Sequence, residues 1–296
     1  MRKAVIDMGT NTFNLLIADV SAASFTTLFT AKEPVLLGMG GINQDKIAED
    51  AMARALATID KFVCFCDEFL VQRKNISAIG TSAIRGATNS KALVEKVKDL
   101  HRVKIKVISG EEEAGLIYKG VQWTYPFEKS ALIMDIGGGS TEFIHANADG
   151  IRELVSLNIG VSRVHQQFNH PVRYSKVEQA AIRTYFMQCA RREKFSFSSD
   201  VLIGASGSFE TFYEMIYETY WIPRQEVVEL PIESLLKVLN WAIHSTQIER
   251  NEHMWITQIR KTMLPIAAIQ IMWAIEQIGC KQVYISPYSL KEGALH

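Results

Sequence analysis

Asp135-Ile136-Gly137-Gly138-Gly139-Ser140-Thr141-Glu142 decides how the rest of this chain is read. The apolar run 131–135 before it is strand-like, the three glycines demand a tight turn, and 142–146 resumes as a second strand. The same landmarks occur earlier in the same order. Asp7-Met8-Gly9-Thr10 precedes Asp135-Ile136-Gly137-Gly138 by 128 residues, and Gly80-Thr81-Ser82 precedes Gly204-Ala205-Ser206 by 124. An aspartate leaving a strand through glycine is a common turn, so one such pair carries little weight. Two pairs in register point to a duplicated unit. The expectation is an α/β protein of two lobes with the same inner topology, divided as 1–124 and 125–296.

Working outward, residues 3–7 and 14–20 read as strands around a Gly-Thr-Asn-Thr turn, with a third strand at 24–30, so the chain opens on a β-meander. Ile47, Met52, Leu56, Ile59 and Val63 recur at helical spacing and predict a long helix over 45–71. A strand at 75–80, a helix at 89–100 and a strand at 103–108 form a β-α-β unit, the mark of a partly parallel sheet. Ser109 followed three residues later by Glu112 is a capping box, which opens a helix over 111–120. Another helix is expected at 209–220, and the connection 120–126 is where two lobes closing around a ligand would hinge.

The chain has 296 residues, 48% hydrophobic, enough to bury a core in each lobe. Its formal net charge is zero, so no global field draws it to nucleic acid or to an anionic membrane surface, and any polyanion must be held locally. Cys64, Cys66, Cys189 and Cys280 are too few and too scattered for a disulfide scaffold and read as ordinary buried thiols. None of the seven histidines has metal-ligand spacing. The opening residues lack the pattern of a signal peptide and no segment is apolar enough to span a membrane, so a cytoplasmic location is expected.

The two loops carry the chemistry. In Asp7-Met8-Gly9-Thr10-Asn11-Thr12 and in residues 135–141, glycine lets successive backbone N–H groups converge on an oxyanion, and hydroxyls add donors. An aspartate beside a bound phosphate can hold Mg²⁺ directly or through water. A hairpin turn alone would also use glycine, but three consecutive glycines mirrored by a second hydroxyl-rich loop favour phosphate. Gly204, Ser206, Gly207 and Ser208, at a strand end before a helix, offer further N–H groups to a phosphate or simply cap the helix. Arg183, Arg191, Arg192 and Lys194 read as the solvated face of a helix.

Taken with Gly80-Thr-Ser-Ala-Ile-Arg85, Ser109-Gly-Glu-Glu-Glu-Ala-Gly-Leu116 and Ser289-Leu-Lys-Glu-Gly293, these loops resemble the exopolyphosphatase / guanosine pentaphosphate phosphohydrolase family, and the resemblance spans nearly the whole chain. It implies the two-lobed, ribonuclease H-like fold shared by actin, Hsp70 and sugar kinases, and Mg²⁺-dependent hydrolysis of a terminal phosphoanhydride in the cleft. By resemblance Glu113 is the general base on the attacking water, and Arg85 neutralises phosphate oxygens. Asp135, Glu142 and Asp7 are the metal candidates. Gly9, Thr10, Asn11, Thr12, Gly137, Gly138, Gly139, Ser140, Thr141 and the 204–208 loop contact the substrate. The same resemblance implies a homodimer. Longer family members continue into helical domains, so polyphosphate of short length or guanosine pentaphosphate is expected as substrate. A kinase of the same superfold would need an acceptor site that no residues mark, and a non-catalytic alarmone sensor would need no base.

Overall fold

The computed structural model describes residues 1–168, 170–195 and 198–295; His296, one of the histidines read as having no metal role, lies outside them. The first lobe runs β1 (Arg2–Met8), β2 (Thr12–Val20), β3 (Phe25–Pro34), α1 (Glu49–Glu68), β4 (Ile76–Gly80), α2 (Ser82–Gly86), α3 (Ser90–His101), β5 (Ile105–Val107) and α4 (Gly110–Gln122). The second runs β6 (Ala131–Ile136), β7 (Thr141–Asn147), β8 (Gly150–Leu157), α5 (Val161–Gln167), α6 (Lys176–Glu193), β9 (Val201–Gly204) and α7 (Gly207–Tyr217). It continues through β10 (Val228–Glu229), α8 (Ile232–His244), α9 (Gln247–Glu252), α10 (Leu264–Ile278), β11 (Gln282–Ile285) and α11 (Leu290–Gly293).

Two sheets result, ordered β3-β2-β1-β4-β5 and β10-β11-β9-β6-β7-β8. Apart from β10, the second repeats the first: an antiparallel hairpin and third strand, then two parallel strands on the other side of the first strand. The repetition extends to irregularities. The β2–β3 register shifts between Ile17 and Ala18, and the β7–β8 register between His145 and Ala146, 128 residues on. Gly9 N–H bonds the Thr12 carbonyl at 3.1 Å, and Gly137 N–H bonds the Ser140 carbonyl at 3.0 Å.

Period-two alternation sorts the central strands between cores. Ala4, Ile6 and Met8 join the first-lobe cluster while Val5 faces the other way. Leu132 and Met134 join the second-lobe cluster while Ala131 and Ile133 face the same way as Val5. A third core therefore lies between the sheets, completed by Ile117 and Val121 of α4 and by Leu290 and Leu295. The last helix returns to the first lobe: a Cβ on Gly120 would stand 1.9 Å from the Ser289 carbonyl oxygen, and one on Gly293 1.9 Å from that of Leu116. Only glycine permits this crossing of α4 and α11. Residues 120–126, read as a hinge, form the end of α4 and the turn after it, where Thr124 Oγ1 lies 3.1 Å from Ser286 Oγ.

Three sequence expectations need correction. The third strand reaches Pro34 rather than residue 30, since its partner β2 is long enough to pair it throughout. A five-residue helix, α2, follows β4 and carries Arg85. Cys64 is exposed, because α1 turns Phe62, Val63 and Cys66 inward and leaves it on the outer side. Arg191 and Arg192 are exposed in the last turn of α6, and Arg183 pairs with Glu276. Among the described residues no helix is long and apolar enough to cross a membrane.

Candidate active site

A cavity of about 1000 Å³ opens between the lobes, lined by both glycine loops, the 205–208 loop, Glu113, Asp7, Asp135 and Glu142. The strand ends that the duplication makes equivalent thus converge from opposite walls. In each loop the carbonyls are turned onto the chain that follows. Thr10 O accepts from Gly38 N–H, and Asn11 O from Val35 and Leu36. Gly138 O accepts from Ser162 and Arg163 N–H, Gly137 O from Val161 N–H, and Gly139 O from Arg163 Nε. Among the described residues no acceptor is paired with the Gly138 and Gly139 N–H groups, which suits a loop that receives an oxyanion. Gly160 starts α5 against this loop; a Cβ there would stand 2.5 Å from the Gly138 and Gly139 backbone.

Glu113 is placed by the helix that carries it. Ser109 Oγ accepts from Glu112 N–H and the Glu112 carboxylate accepts from Ser109 N–H, both at 3.0 Å, so the predicted capping box is formed. The buried stripe of α4 is Glu113, Ala114, Ile117, Gly120 and Val121, one helical face on which Glu113 is the first member and only 8% exposed. Arg85 Nη1 donates to Glu113 Oε2 at 2.9 Å and to the Ile108 carbonyl at 3.0 Å. Arg85 therefore sits behind Glu113 and is not among the residues lining the cavity.

Four carboxyls share this low-dielectric floor, and their electrostatics are those of groups short of positive charge. Burial raises Asp7 to about 6, and burial with the nearby Glu113 and Asp7 charges raises Asp135 to about 7. Burial and then the Asp135 charge raise Glu142 to about 7. Glu113 is raised well above the usual carboxylate range, by burial first and the Glu142 charge second, and its bond to Arg85 only partly opposes this. Each of the others has a neutral donor: Asn14 Nδ2 on Asp7 at 3.0 Å, Ser289 Oγ on Asp135 at 2.5 Å, Ser156 Oγ on Glu142 at 2.6 Å.

These carboxyls fit Mg²⁺. That ion keeps several waters and takes one or two protein carboxylates together with phosphate oxygens. Asp135 and Glu142 are cross-strand partners on β6 and β7 and supply such a pair. No cluster of three or more His, Cys, Asp or Glu among the described residues forms an all-protein cage.

Other predicted residues fall behind the walls. Thr141 is fully buried, its Oγ1 accepting from Gln270 Nε2, and Gly204 lies against the Phe209 ring, where a Cβ would stand 2.1 Å from ring carbon. The cleft also contains residues that the sequence reading did not single out: Lys32, Glu210, Arg260, Lys291 and Glu292. Lys32 was missed with the end of β3. Lys291 and Glu292 lie in a stretch that the resemblance quoted without assigning them a role. Arg260 stands in no motif, and only its tertiary position reveals it.

The Ppx/GppA phosphatase family model matches residues 16–296. The chain is 35% identical over 221 residues to a bifunctional 3-dehydroquinate synthase/phosphatase of Fusobacterium nucleatum, covering 71% of this chain and 33% of that protein. It is 28% identical to a guanosine-5'-triphosphate,3'-diphosphate pyrophosphatase of Photobacterium profundum, covering 99% of this chain and 58% of the other. It thus spans between a third and three-fifths of these curated relatives. The crystal structure of an exopolyphosphatase from Cytophaga hutchinsonii superposes with a TM-score of 0.92 at 34% identity, covering 100% of this chain and 96% of that one. A Ppx/GppA enzyme of Aquifex aeolicus shares the fold, with a TM-score of 0.84 at 23% identity and coverage of 100% and 98%. With its duplicated sheets, mirrored glycine loops and near-complete family match, this chain belongs to the Ppx/GppA phosphatase family.

Proposed function

We propose that the chain is a phosphohydrolase that releases the terminal phosphate of inorganic polyphosphate or guanosine pentaphosphate. The observation that carries this reading is the Glu113 carboxyl, buried at the cleft floor with a raised proton affinity and lining one cavity with both glycine loops. A carboxylate with enhanced basicity is suited to take a proton from water near neutral pH. Arg85 holds it in one orientation through the 2.9 Å bond. The Gly138 and Gly139 N–H groups, with the Thr10, Thr12 and Ser140 hydroxyls, bind phosphate oxygens and orient the terminal group in line with the water. Asp135 and Glu142, assisted by Asp7, are the residues that would hold Mg²⁺. When bound, that ion neutralises charge on the phosphate oxygens and lowers the carboxyl proton affinities. The two reaction ends then have separate custodians: α4 handles the water, and the loops handle the phosphate.

The test is phosphate release from short polyphosphate, long polyphosphate, guanosine pentaphosphate and ATP with Mg²⁺, using Glu113→Gln as control. Loss of a general base should lower turnover by roughly 10²- to 10⁴-fold while binding persists. Binding without release from any of the four by the unmodified chain would leave only a sensor.

A further inference from the structure

Near the carboxyl floor the cleft holds a second charged group whose members come from both lobes. Lys32 of β3 pairs with Glu210 of α7 at 3.0 Å, and Arg260 pairs with the same Glu210 Oε2 at 3.0 Å. Both cations therefore converge on one oxygen, and all three residues line the cavity. The group lies within electrostatic reach of the floor. Lys32 acts on Asp7, and the Lys291 ammonium is held up by Glu292, Glu210 and Asp7 against the effect of its burial.

The anchoring of the two cations is unequal. Arg260 Nη1 also donates to Thr211 Oγ1 at 2.7 Å, and its head rests on the first turn of α7, where a Cβ on Gly207 would stand 1.8 Å from Nη2. Arg260 stays in place if the carboxylate leaves. Lys32 reaches across from the other lobe with 43% of its side chain still exposed, and partial desolvation in the cleft followed by the Arg260 charge lowers its proton affinity. Burial alone would raise Glu210, but Lys32 and Arg260 overcome this and bring it down to about 2. Two cations brought together against their mutual repulsion, on the wall of a phosphate cleft, form a binding site for an anion with more than one oxygen. Glu210 keeps 29% of its side chain exposed, so water can solvate its carboxylate once a ligand displaces it.

We propose that the Glu210 carboxylate is a built-in stand-in for phosphate: a phosphate group of the bound polyanion displaces it and takes Lys32 and Arg260 as its own partners. Binding then exchanges an internal tie between the lobes for one made through the ligand. The phosphate concerned is not the one being cleaved but another on the same polyanion. Glu210 acts as a competitor that discriminates against anions too short to reach it while held at the loops. This inference rests on the reading of the cleft as a phosphate site.

Displacement and simple clamping predict opposite signs. If Glu210 competes, Glu210→Gln binds tripolyphosphate about tenfold more tightly and Lys32→Ala about tenfold more weakly, the scale of one charge-assisted hydrogen bond. Orthophosphate affinity should be changed by neither. If Glu210 merely holds the cations in position, both variants lose affinity, and that result overturns the proposal. Calorimetric titration with Mg²⁺ present, after a circular-dichroism melt shows each variant folded, reads the difference. Should Glu210→Gln fail to fold, Glu210→Asp keeps the charge but draws the carboxylate back by one methylene. The expected result is then two- to threefold tighter binding, and weaker binding rejects the idea. Guanosine pentaphosphate in a parallel arm shows whether the displacing phosphate comes from an inorganic chain or from a nucleotide: a shift with either supports the proposal, and a shift with neither overturns it. Failure of the unmodified chain to bind any of these ligands would remove the proposed function and this inference together.

Discussion

Asp7 faces Asn14 across the first hairpin, and Asp135 faces Glu142 across the second, in the same register and 128 residues apart. The two pairs are the same structural position filled differently. In the first lobe a neutral amide donates to the aspartate and the pair carries one negative charge. In the second, two acids stand side by side: burial and then the Asp135 charge raise Glu142, burial and the Glu113 and Asp7 charges raise Asp135, and each leans on a serine hydroxyl brought from elsewhere in the chain, Ser156 and Ser289. One copy of the duplicated hairpin closes on itself. The other is left electrostatically incomplete, and a cation shared with substrate would complete it. Burying two like charges costs stability, so that cost falls on the second lobe and is spared in the first.

Making the second pair resemble the first should have the largest effect. Glu142→Asn is expected to lower turnover by roughly 10²- to 10³-fold, the scale of losing one charge-stabilising group, and to raise the melting temperature above pH 7. Steady-state phosphate release and thermal melts check both halves; unchanged turnover would separate Glu142 from the chemistry. The reverse exchange comes next. Asn14→Glu places a second acid beside Asp7 and should destabilise the fold by roughly 2–4 kcal/mol at pH 8, with most of the loss recovered at pH 5.

The unmodified chain should show a milder form of that pH dependence. Asp7, Asp135 and Glu142 all have folded-state values raised above their unfolded ones, so the folded state binds the extra protons. Stability is therefore greatest below about pH 4 as far as these groups are concerned. It falls as pH rises to about 7 and then levels off. Mg²⁺ should restore part of it above pH 7, and urea titrations at pH 5 and 8 with and without the ion measure this. The smallest effect tests the likeness rather than the difference. Gly9→Ala and Gly137→Ala would put a Cβ 2.8 Å from the Thr12 carbonyl oxygen and 3.0 Å from that of Ser140. Similar costs of roughly 1–2 kcal/mol are expected, measured by urea unfolding.

What the sequence showed follows the range of the interactions involved. The strands flanking both aspartates, the Ser109–Glu112 capping box and the helix carrying Glu113 rest on neighbours a few residues apart, and all could be read in advance. The duplication was legible because its landmarks keep their spacing. Arg85 was legible as a residue of interest, but its bond to Glu113 depends on α2, a helix too short to leave a periodic signal. Lys32, Glu210 and Arg260 meet only because β3 extends past residue 30 and α7 faces it from the other lobe. No local pattern encodes a meeting across 178 residues.

The glycine crossing of α4 and α11 has a consequence during synthesis. Lys3 Nζ donates to the Leu295 carbonyl at 2.6 Å, and Gly293 rests on the helix that presents Glu113. Residues 290–295 leave the ribosome long after that helix, by about 10–35 s at ordinary elongation rates. The nascent first lobe can form its sheet early, but the helix that carries Glu113 stays without its buttress until translation has passed the second lobe. A stalled chain ending before residue 290 should therefore be cut by protease near α4, whereas one extended past residue 295 should resist. The packing around α4 is thus completed only when residues 290–295 have joined the first lobe.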